Sequence, residues 1–186
     1  VPDGYPEGQY TVVILSLNKQ REVAQKSESV YYCGNQIASM MLDDFNRSQD
    51  ATITSVVNKY MDTYPVLSSL GEDMQEFYEK NQAMVNSSLL KGKPYTSVNG
   101  IIEIMNTAFS ISSLVNAGTV EEFTGLFEEH ADSLDIDITQ EEYLAHKALI
   151  CERLYGKLHN KEGVTRSDIE KEFRNSVIVA EFNTAD

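Results

Sequence analysis

Glu142 and His146 stand four residues apart, a spacing that puts a carboxylate and an imidazole on one helix face and can chelate a metal ion. An isolated acid–His pair at this spacing is more often a surface interaction, so no metal is expected. His130 and His159 are the remaining histidines. Cys33 and Cys151 form no CxxC pair and no disulfide framework. Neither cysteine stands in a sequence motif that marks a nucleophile, and buried structural thiols are expected. G-x-S-x-G, P-loop and G-x-G-x-x-G patterns do not occur. No catalytic residues and no cofactor are therefore assigned.

Asp135, Asp137, Glu141 and Glu142 invite a test for calcium. Phe123 and Phe127, followed by Ile138-Thr139-Gln140-Glu141-Glu142-Tyr143, resemble the entering helix and the second half of an EF-hand loop. In that register the loop runs over residues 131–142. Ala131 occupies the first ligand position, and Ile136 stands where the sharp turn needs Gly. Ser133, Asp135 and Glu142 would be the only usual side-chain ligands. The resemblance implies an EF-hand-like scaffold without calcium.

Residues 94–146 contain no Lys and no Arg. They hold ten of the 29 acidic residues, in a chain whose formal charge is −14. Glu121, Glu122, Glu128, Glu129, Asp132, Asp135 and Asp137 are the candidate partner-binding residues. Their chemistry points to a protein with a basic surface, with a nucleic-acid mimic or inhibitor as the extreme form. A solvated acidic face is the alternative. A pI near 4.6 argues against binding phosphate backbones or anionic membranes, which need Lys and Arg.

The electrostatics reverse over residues 147–175, where seven basic residues face five acids. Helix, Gly-containing turn, short helix and strand in that order resemble part of a winged helix, which would bind nucleic acid through Arg166, Lys171 and Arg174. Thr165, Arg166 and Ser167 would open its recognition helix.

The elements that position these groups are read from periodicity. Residues 1–9 form an irregular arm. Residues 10–17 (YTVVILSL) read as a strand, and residues 18–27 as polar linker. Ser27 or Ser29 would cap a helix to Asn46. Further helices are expected over 52–64, 67–90, 98–116, 119–130 and 139–159, followed by a short one from Thr165. Thr119–Glu122 and Thr139–Glu142 each have the form of a capping box. Residues 176–182 (SVIVAEF) read as a last strand.

The expected fold is mainly α. About seven helices form a single domain, residues 1–186, as a bundle around the buried helix 98–116. A small β element joins the N- and C-terminal strands. A second copy of the chain, meeting those strands, is the other candidate partner. Hydrophobic content of 41% is that of a globular protein. No apolar run approaches the length of a membrane span, and the N-terminus does not read as a signal peptide. No membrane partner and an intracellular location are expected.

Overall fold

The computed structural model describes residues 8–17, 23–32, 34–62, 67 and 72–184. The chain is mainly helical. The described residues hold one antiparallel β-hairpin, seven α-helices and one 3₁₀ turn. They divide into two compact units, Val1–Ile102 and Glu103–Asp186.

In the first unit, β1 (Gly8–Leu17) pairs with β2 (Val23–Tyr32), in register from Gly8 opposite Tyr32 to Leu17 opposite Val23. The strand expected over 10–17 is present and begins two residues earlier, inside the expected arm. Residues 1–7 lie outside the described residues. Its partner is not the C-terminal segment, and the helix expected from Ser27 or Ser29 to Asn46 starts later, at Asn35, and ends at Arg47. β2 occupies the positions of both serines. A strand of backbone groups needs partners, and Val30, Tyr31 and Tyr32 suit a pleated ladder better than Ser27 and Ser29 suit a helix cap.

The first helix, α1 (Asn35–Arg47), starts at Gly34, whose φ of 66° favours glycine. It buries Met41 and Phe45. Helix α2 (Ile53–Asp62) buries Ile53, Val57 and Tyr60, and α3 (Glu72–Lys91) buries Met74, Tyr78, Val85 and Leu89. Asn46 fastens the end of α1. Its amide donates to the Tyr95 carbonyl at 2.9 Å and accepts the Tyr95 N–H at 2.7 Å, as a strand neighbour would. The Tyr95 hydroxyl donates to the Leu89 carbonyl, and burial pushes that phenol up to about 12.

Helix α4 (Val98–Asn116) has the predicted bounds and starts in the first unit. Contrary to the expectation that no apolar run approaches a membrane span, it is by length and composition alone long and apolar enough to cross one, a test that the core helix of a soluble protein also passes. Ile101, Met105 and Leu114 are fully buried.

The second unit continues with α5 (Val120–His130), a 3₁₀ turn (Asp132–Leu134), α6 (Glu141–Leu158) and α7 (Arg166–Thr184). Phe127, Tyr143 and Phe173 meet with ring centroids 5.7 to 6.1 Å apart, in a core that also holds Leu114, Phe123, Leu134, Ile136, Leu154 and Ile169.

The strand expected over 176–182 is the second half of α7. Val177, Ile178 and Val179 do favour strands, but Ile169, Phe173, Ser176 and Ala180 recur at helical steps and are all buried. Burial of that stripe overrides local propensity.

Candidate functional site

The acidic surface is assembled from the start of α5 to the start of α6. Thr119 caps α5, its hydroxyl accepting the Glu122 N–H at 3.1 Å. The Glu122 carboxylate in turn accepts the Gly118 N–H at 2.8 Å. This is the reciprocal bonding that the first capping box predicts, reaching one residue further back. Glu121 and Glu122 lie in the first turn of α5, where the helix dipole favours negative charge.

The second capping box does not form. Gln140 is the N-cap of α6, without a side-chain bond. Thr139 is already taken: its N–H and hydroxyl donate to the Asp137 carboxylate at 2.9 and 2.6 Å. A short acid that bonds two residues onward closes a turn of its own. The Thr139 hydroxyl holds the Asp137 carboxyl below its ordinary value, with the Thr139 amide adding to it.

The stretch without basic residues acquires two from outside. The Lys147 ammonium lies 2.6 Å from the Glu128 carboxylate, which also accepts the Tyr143 hydroxyl at 3.4 Å. The Arg166 guanidinium lies 2.7 Å from Asp135. Glu128 and Asp135 therefore have partners that no sequence spacing announced, because Arg166 reaches Asp135 from a different helix. Glu121, Glu129 and Asp132 are exposed, and make no ion pair with a described residue.

The groups of the calcium-loop register point to other tasks. The Ser133 hydroxyl lies 3.0 Å from both the Ser110 hydroxyl and the His130 carbonyl. Ile136 is buried in the core, and Glu142 is exposed. His130 packs edge-on against Phe109, and burial lowers its pKa against the pull of Glu129. Among the described residues, no three His, Cys, Asp or Glu side chains are placed to hold a metal ion. Cys151 is buried, with its sulfur 3.6 Å from the Tyr143 hydroxyl, and burial pushes the thiol up, away from nucleophile chemistry. Cys33 lies outside the described residues.

Two arginines of the basic C-terminal segment are paired within it. Arg166 also contacts Glu170 at 3.2 Å, and Arg174 contacts the same carboxylate at 3.4 Å. Lys171 is exposed. The helix opened by Thr165 is 19 residues long rather than short, and the strand that a winged helix needs after it is helical.

Between the loop 135–140 and α7 lies a cleft of about 450 Å³. Ile136, Phe173, Val177 and Ile178 give its apolar walls, and Asp135, Asp137, Glu170 and Arg174 its polar edge. On α7, Ile178 is 50% exposed and Phe182, four residues on, is 78% exposed. Reading residues 176–182 as a strand hides this cleft. The helical recurrence of Ile169, Phe173 and Ala180 is the signal that could have found it. Comparison with protein-family models, with curated proteins and with solved structures finds no match to the chain.

Proposed function

We propose that this chain is a non-enzymatic interaction protein that receives a basic protein partner on the acidic helical surface from Glu121 to Asp137. The observation that carries the reading is the imbalance left after folding. Ten carboxylates lie in residues 94–146, and the described ion pairs bring only Lys147 and Arg166 to them. Exposed like charges repel one another, and a basic partner relieves that repulsion and is steered toward it. A partner captured from the native source is the material for the test. Exchanging Glu121 and Glu129 for Gln, and Asp132 for Asn, should weaken that complex and flatten its salt dependence while the fold persists. Unchanged affinity would leave these acids as a solvated face.

A second reading, an EF-hand-like scaffold without calcium, draws support from the helix–loop–helix formed by α5, residues 131–140 and α6. The bundle centred on Val98–Asn116 is likewise a proposal, supported by the complete burial of Ile101, Met105 and Leu114. So is assembly with a second copy through the hairpin, where β1 and β2 each keep one edge without a described strand neighbour.

A further inference from the structure

We infer that the cleft between residues 135–140 and α7 is a docking groove for an amphipathic basic helix of the protein partner, an inference that rests on the proposed acidic-surface function. Three observations carry it. The cleft, at about 450 Å³, is large enough to take an apolar side chain, and its floor is core: Phe173 packs on Phe127 and Tyr143. The apolar surface does not stop at the cleft. Ile178 and Phe182 extend it along one face of α7 by a further helical turn, which matches a helix laid alongside better than a compact small molecule. The polar edge carries three carboxylates, Asp135, Asp137 and Glu170; Arg166 and Arg174 pair with Asp135 and Glu170, which leaves Asp137 without a described ion pair in a chain whose formal charge is −14. A ligand with apolar anchors flanked by Lys or Arg is complementary to both features. A second copy of this chain is not, because each copy brings a charge of −14.

The test uses the full chain and two synthetic peptides of equal charge, each about four helical turns long: one an amphipathic Leu/Lys helix, the other Lys interspersed with Gly and Ser. Backbone amide shifts are followed by NMR during titration. The groove predicts shifts at Ile136, Phe173, Val177 and Ile178 with the Leu/Lys peptide, and affinity about tenfold tighter than for the other peptide. Ile178→Glu and Phe182→Glu change exposed positions, so the melting temperature should hold. Each adds negative charge. General attraction to a basic peptide would therefore strengthen, whereas the groove predicts about tenfold weaker binding of the Leu/Lys peptide. Equal affinity for the two peptides, or tighter binding by Ile178→Glu, overturns the groove and leaves the acidic-surface function standing. Failure of both peptides to bind overturns the groove and counts against that function as well. Dimerisation of the free chain that Ile178→Glu abolishes also overturns the inference, in favour of a second copy.

Discussion

The Arg166 guanidinium stands 2.7 Å from the Asp135 carboxylate and 3.2 Å from that of Glu170, so one side chain at the start of α7 ties the loop before α6 to its own helix. Asp135 sits at φ 58°, in the left-handed region, which short acids tolerate better than most residues. The pair is exposed, at 40% and 82%, and water screens it. Arg166→Ala should therefore destabilise the chain by no more than about 1 kcal/mol, with a smaller effect in high salt. A thermal melt at two salt concentrations checks this. A loss that is much larger and indifferent to salt would mean that Arg166 acts through packing.

Acid should weaken the start of α7. The Thr165 hydroxyl, and then its amide, hold the Asp168 carboxyl below its ordinary value of 3.8. The unfolded chain binds that proton more readily than the folded one. The stabilisation is thus present above the ordinary value and is lost as pH falls through the lower folded value. Measured by urea unfolding, the difference between the parent chain and Asp168→Asn should be constant from neutral pH to about pH 5 and shrink below about pH 4. A difference independent of pH would show that the carboxylate does not act as this cap.

Proline at position 177 separates a helix from a strand edge. Val177 lies inside α7, where Pro removes a backbone donor and clashes with the preceding turn, at a cost of about 3 kcal/mol or more. A fall in melting temperature of roughly 6 to 12 °C is expected for a chain of this size. A shift within about 2 °C would contradict a helix through Ser176–Ala180.

The same segment shows what the chain discloses about itself. The starts of the helices opened by Thr119 and Thr165 were legible, because a hydroxyl three residues before an acid is a local device with a local cause; the same spacing at Thr139 and Glu142 misled, since Asp137 takes the Thr139 hydroxyl. The bounds of Val98–Asn116 were legible from its apolar run. Residues 176–182 misled, since Val177, Ile178 and Val179 carry strand propensity while Ser176, a polar residue, breaks the visible stripe that burial completes. Residues 27–32 misled in the opposite sense, because two serines look like caps and strand pairing with β1 depends on contacts distant in sequence. Of the candidate site, the acids were legible. The partners of Glu128 and Asp135 were not, since Lys147 and Arg166 arrive through tertiary packing.

Calcium should leave stability unchanged. Ser133 bonds to Ser110 and His130, Asp135 pairs with Arg166, and Ile136 is in the core, so three positions of the loop register are committed elsewhere. A ligand bound only by the folded state raises the melting temperature by mass action. No rise in millimolar calcium is expected. A rise seen with calcium and not with magnesium would return the loop to the list of metal sites.

The acidic surface itself is tested most directly by the salt dependence of partner affinity. The dissociation constant of the captured partner would be measured by titration calorimetry, for the parent chain and for the combined Glu121→Gln, Glu129→Gln, Asp132→Asn variant. These three side chains are exposed and make no ion pair with a described residue, so the fold should survive their exchange. The expected result is about tenfold weaker binding by the variant at about 0.05 M salt, converging with the parent near about 0.5 M, where the screening length is only a few ångströms. Identical dissociation constants at every salt concentration would contradict a binding role for this surface.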